Sequence, residues 1–197
     1  MQSSAMDQWA GHCGQYFCQD PQEEAVVLHP QNPRKPHIDM LLFRPNEIYP
    51  FFKLCTMGAS DYKLPLTFCC RNEYMMFLAP EERKNLPWFT DVLLSVALYP
   101  MENHMALTFG HSIIWGSQPE TDMQGAYLDL PYPIEGPGFF TCSLGPLRKA
   151  RCLQVTLLTE GEIRDLHRLG PEKFCEFLYP ADGRPHFLSQ RYRTEHF

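Results

Sequence analysis

The sequence is short of almost every pattern that marks a chemically active protein. It has no Gly-x-Gly-x-x-Gly or Walker-type glycine loop to cradle phosphates and no Gly-x-Ser-x-Gly turn to expose a serine. None of its eight cysteines forms a Cys-x-x-Cys pair, so zinc ribbons and thioredoxin-like redox motifs are excluded. No run approaches eighteen apolar residues, which excludes a spanning helix of ordinary length. The first twenty residues lack a basic segment followed by an apolar one, so no secretory signal is expected and the reading is a reduced, cytoplasmic protein. Positive charge is scarce as well. The formal net charge is −6 and the pI about 5.7. The basic clusters, Arg34-Lys35, Arg148-Lys149-Ala150-Arg151 and Arg191-Tyr192-Arg193, are short. A phosphate-tracking surface needs more than that, so nucleic acid is not an expected partner and neither is a membrane; a basic or neutral protein is.

What is present is material for a core. Fourteen Phe, nine Tyr and an apolar fraction of 44% describe an ordinary globular chain. At 197 residues one domain is expected over 1–197, with its core at about 25–178 and a loosely held, polar tail at 181–197. Met6, Trp9, Cys13 and Tyr16-Phe17 recur at helical steps. Residues 25–29, 38–43, 51–57 and 73–78 read as strands, the second apolar on both sides and suited to a central position. Their connections are too short for crossover helices, which implies antiparallel pairing. A helix opens at Pro87 and carries Trp88, Phe89, Val92, Leu93, Val96 and Ala97 on one stripe; Tyr99-Pro100 is expected to end it. Residues 126–130, 139–142 and 152–158 are further strands. Thr159 and Glu162 have the spacing of a capping box, and Gly170-Pro171 separates the helix they start from a second one. Strands that pair locally, with helices set aside from them, give an α+β class: a mostly antiparallel or mixed sheet packed with helices.

Several segments, taken in order, resemble the Suppressor of fused family, in particular its bacterial single-domain type. His37-Ile38-Asp39-Met40 resembles the family's His-Ile-Asp strand. The run from Phe52 to Asp61, ending Thr56-Met57-Gly58-Ala59-Ser60-Asp61, is similar to its Thr-x-Gly-x-Ser-Asp strand and turn. Asn72-Glu73-Tyr74 resembles its Glu-Leu strand. Pro87-Trp88, Gly110-His111-Ser112, Phe139-Phe140 and Leu157 to Glu162 also have counterparts. Ala59 and Leu64-Pro65 depart from the usual pattern around the Ser-Asp turn.

The resemblance implies an α/β sandwich with no cofactor and no catalysis. It implies a protein partner: animal relatives hold a short peptide as an added strand with the help of a second domain, and bacterial ones accompany toxin systems as immunity proteins. The motif residues it singles out for binding are His37, Asp39, Gly58, Ser60, Asp61 and Glu73. It points to a negative regulator that is a monomer or a weak homo-oligomer.

Read from the residues alone, Ser60 and Asp61 cap the amides of a turn after Gly58, and Asp39 needs a partner because it heads into a buried strand. His12-Cys13 with Cys18, and His104 with His111, are the nearest metal spacings, but neither fits a known finger or a His-Glu-x-x-His helix. Two alternatives stand beside the binding domain. One is a small hydrolase using His37 and Asp39 or His111. The other is a scaffold that oligomerises through its sheet edge.

Overall fold

The computed structural model describes residues 4–20, 24–30, 37–63, 70–131, 133–134, 136–179 and 187–192. Its first helix, α1 (Ala5–Phe17), starts where Ser4 and Asp7 bond each other's backbone amides in a capping box, and it buries Trp9, Cys13 and Phe17 on one face. Strands β1 (Val26–Leu28), β2 (Asp39–Phe43), β3 (Phe52–Met57) and β4 (Cys70–Leu78) then pair in sequence, each antiparallel to the last. Every residue of β2 is buried, as expected of a strand covered on both faces.

Helix α2 (Leu86–Glu102) follows, with Pro87 in its first turn. It continues past Tyr99-Pro100, where the sequence was expected to stop it. Pro100 lies only in the last turn, which closes through Asn103 N–H to Tyr99 O and Met105 N–H to Pro100 O, and its ring is buried. A proline this near the end removes one hydrogen bond without breaking the helix.

The second half supplies β5 (Ser112–Ile114), β6 (Met123–Asp129), β7 (Thr141–Ser143) and β8 (Lys149–Thr159). Phe139 and Phe140 belong to a short 3-10 turn (Pro137–Phe140) and not to the strand expected there; the strand begins at Thr141. The sheet runs β1-β2-β3-β4-β8-β6-β5, with β7 beside the first part of β8. It is mixed, because β4 and β8 are parallel from Cys70↔Lys149 to Met75↔Gln154. Two helices follow, α3 (Glu160–Leu169), capped by Thr159 and Glu162 as the spacing predicts, and α4 (Pro171–Leu178).

Alternation along the strands sorts the core into two faces. Met40, Leu42, Leu54, Met76, Val155 and Leu157 pack with α2. Leu41, Phe43, Cys55, Met75, Phe77 and Cys152 pack with α1 and Phe139. Tyr127 and Leu158 bury Leu166, Phe174 and Leu178 of α3 and α4. The class is therefore α+β, a mixed sheet between helices.

Within the described residues 187–192, one serine packs into the sheet. Ser189 is fully buried, donates its amide to Phe77 O (2.8 Å), and accepts Leu157 N–H on its hydroxyl (3.3 Å). It fills the fork where β4 and β8 part company. Residues 180–186 and 193–197 lie outside the described part.

Candidate functional site

The six motif residues gather at one end of β2, β3 and β4, in three groups. The first is built on Glu73, which is 1% exposed. The β3–β4 ladder stops at Cys55↔Met75. One residue on, the Thr56 hydroxyl takes over, accepting Tyr74 N–H (2.8 Å) and donating to Glu73 Oε2 (2.6 Å). Glu73 Oε1 accepts the amides of Gly58 (3.1 Å) and Ser60 (2.9 Å). Glu73 is thus the acceptor that caps the turn. The sequence assigned that task to Ser60 and Asp61, whose reach is local; a carboxylate from the neighbouring strand does it instead. Burial pushes the Glu73 carboxyl up from its usual range, against the opposing pull of its bonds to Thr56, Ser60 and Gly58.

Gly58 is there for two reasons. Its φ of 111° lies in the left-handed region, and a Cβ would sit 2.8 Å from both His37 O and Met6 Cε. The chain therefore passes His37 at close quarters, which links the turn to the second group. There His37 Nε2 lies 3.0 Å, and His29 Nδ1 2.7 Å, from Asp39 Oδ1. His37 thus supplies the partner that the buried Asp39 requires, and His29 joins it unannounced.

The third group is Asp61, which pairs with Arg148. Arg148 also donates to Ser60 O (3.0 Å), and Arg71 donates to Ser60 O (3.1 Å) and Asp61 O (2.7 Å). Arg151 donates to Asn72 Oδ1 (3.0 Å) and Leu107 O (3.2 Å). The basic run 148–151 thus has two of its arginines engaged with internal partners.

Ser60 is 3% exposed, and none of the hydrogen bonds of the described residues joins a serine, threonine or cysteine to His37. His111 is exposed and uses its backbone to pair with Thr108 and Leu128. His12 faces Phe139 O (3.1 Å) and stacks on Trp9 and Phe139, while Cys13 is buried on the sheet side with its thiol pushed up by burial. Neither of the metal spacings considered from the sequence is among the His, Cys, Asp and Glu clusters of the described residues that could hold an ion.

A second feature escaped the sequence. Between α2 and the edge strand β5 runs a groove of about 470 Å³, lined by Trp88, Val92, Tyr99, Ile114 and Trp115, with Asp91 and Glu102 also on its walls. Among the described residues β5 pairs with β6 alone, so its other backbone edge is open beside the groove. Ile114 is 50% exposed there. Arg191 of the tail lies over the Trp88 ring, 5.6 Å from its centroid. The signal available in the sequence was that Trp88 and Val92 lie toward one side of the α2 stripe, away from the fully buried Phe89, Leu93 and Ala97.

The family model for the Suppressor of fused protein (SUFU) matches residues 34–191. No curated protein matches the sequence. Among solved structures, the chain is similar to that of a Sufu–Fu complex, at 15% identity and a TM-score of 0.69 over 98% of this chain and 91% of that one. It is similar to a SUFU homologue from Neisseria gonorrhoeae FA 1090, at 12% identity and a TM-score of 0.66 over 95% and 94%. Drosophila Suppressor of Fused matches at 14% identity and a TM-score of 0.69, over 97% of this chain and 50% of that one.

Proposed function

Because the chain belongs to the Suppressor of fused protein family, we propose that it works by binding another protein, which it takes as an extended segment along β5 and the α2 groove. The observation that carries this is the coincidence of an open strand edge with an apolar trough. Strand addition supplies backbone hydrogen bonds, and pockets beside the edge select alternate side chains. A volume of about 470 Å³ suits one or two large apolar side chains. Asp91 and Glu102, with the net charge of −6, favour a segment carrying basic residues. One similar structure is that of a Sufu–Fu complex, which supports a protein as the occupant.

The six motif residues act in this reading mostly from inside, as the framework that fixes the sheet. The finer version is a single-domain, bacterial, cytoplasmic immunity-type protein that neutralises a toxin by covering it, without catalysis or cofactor. Such a role needs shape and charge complementarity and no reacting group.

Selection of short peptides from a displayed library against the full chain tests the groove. Enriched peptides should combine bulky apolar residues with Lys or Arg, and should bind Ile114→Asp and Val92→Glu at least about tenfold more weakly, the size of 1.4 kcal/mol. Ile114→Asp, at a half-exposed position, should melt close to the wild type, and a melting curve checks that Val92→Glu, partly buried against the core, still folds. Peptides that bind the variants as well as the wild type would place the partner elsewhere.

A further inference from the structure

The hairpin of β1 and β2 carries three metal-ligating side chains on one side of its end. The register pairs Val26 with Leu42, Val27 with Leu41 and Leu28 with Met40. One step further sets His29 across from Asp39. His37 precedes Asp39 by two, so its side chain falls on the same face as well. Strand geometry alone therefore brings an imidazole, a carboxylate and a second imidazole together. Their ligand atoms all lie within 4.8 Å of one another.

We propose that His29 Nδ1, His37 Nε2 and Asp39 Oδ1 form a three-ligand site for a divalent zinc-class cation. Two imidazoles and a carboxylate are a donor set such ions accept, with water in the remaining position. Ligands at zinc distances of ~2.0–2.2 Å stand roughly 3.3 Å apart in a tetrahedron. The present separations of 2.7 and 3.0 Å from Asp39 need to open by only a few tenths of an ångström.

The anchor is firm and the mouth is open. The Asp39 side chain is 9% exposed and sits in a ladder with Met57, whereas the imidazoles are 70% and 58% exposed and leave room for water at the ion. The ion partners of this nearly buried carboxylate among the described residues are the two imidazoles, which turn their ring nitrogens toward the same Asp39 oxygen. The site lies at the β1 edge, across the sheet from β5, and does not depend on the peptide groove.

The test is calorimetric titration of zinc chloride into the full chain, stripped with a chelator and held reduced by a phosphine. The expected result is one ion per chain, bound at least about tenfold more weakly by His29→Ala and by His37→Ala, with His104→Ala unchanged. Both ligand histidines are exposed, and the variants' melting curves without metal check that they fold. Cobalt substitution gives a second readout: visible absorption of a nitrogen- and oxygen-ligated ion, lost in His29→Ala. Absence of saturable zinc binding overturns the site. So does binding that survives both substitutions, which would assign the ion to thiols or other groups.

Discussion

Replacing Glu73 separates what the buried carboxylate does by shape from what it does by charge. In Glu73→Ala the amides of Gly58 and Ser60 lose their acceptor inside the protein. The Thr56 hydroxyl can turn to Tyr74 O, 3.3 Å away, and is less affected. Each buried donor left without a partner costs about 1–3 kcal/mol. Two such donors and the cavity, less the relief of removing a buried carboxylate, give a loss of about 3–5 kcal/mol, a large part of the ~5–15 kcal/mol that holds a domain together. Glu73→Gln keeps an oxygen for the two amides and presents an amide to the Thr56 oxygen, so it should lose far less.

The charge is read from pH. Burial raises the Glu73 pKa above its ordinary 4.5. The folded state therefore holds the proton to higher pH than the unfolded chain does, and stability falls as pH rises from near 4.5 through the folded pKa. The slope is at most about 1.4 kcal/mol per pH unit inside that window and zero above it. Urea unfolding of wild type, Glu73→Gln and Glu73→Ala, followed by tryptophan fluorescence from pH 4.5 to 8, measures both effects. Wild type should lose ground to Glu73→Gln as pH rises. The reasoning is refuted if wild type gains on Glu73→Gln with rising pH, or if Glu73→Ala lies within about 1 kcal/mol of wild type.

Gly58→Ala should destabilise by at least about 2 kcal/mol, because the left-handed backbone and the fixed His37 carbonyl at 2.8 Å leave a methyl no room; a melting temperature lowered by roughly 4–8 °C is expected, and an unchanged one would contradict the close approach. Cys175 donates to Asp129 Oδ2 at 2.8 Å, and burial together with that carboxylate pushes its thiol up to about 11. Its native alkylation by iodoacetamide at pH 7.5 should run about a hundredfold slower than that of an ordinary thiol, and faster in Asp129→Asn; peptide mass spectrometry reads the rate, and labelling as fast as a free peptide thiol would contradict the contact.

Local pairing was legible and long-range pairing was not. Strands 38–43, 51–57 and 73–78 announce themselves by apolar content, and short connections dictate their antiparallel order. The parallel partner of β4 begins at Lys149, some seventy residues on, inside what reads as a basic cluster; nothing local marks Arg148 as Asp61's partner. Helix α2 runs past Tyr99-Pro100 because a proline in the last turn removes one hydrogen bond without breaking the helix. Ser189 went unnoticed because its role is to fill a fork that exists only in the assembled sheet. His29 was within reach: counting the hairpin register back from Leu28 sets it opposite Asp39.

The candidate residues themselves were legible as a set, yet their arrangement changes what the set means. Gly58, Ser60 and Glu73 are buried and bonded to one another, just beyond the point where the β3–β4 ladder ends. Past the end of that ladder the turn amides of Gly58 and Ser60 need an acceptor, and Glu73 supplies it. These residues hold the turn and the strand ends in shape and leave little side chain for an occupant to touch. Under the proposed function, choice of partner resides where side chains meet solvent, at the β5 edge and its groove. Damage to the Glu73 cluster should therefore lower stability and binding together, whereas Ile114→Asp should abolish binding in a protein that melts where the wild type does.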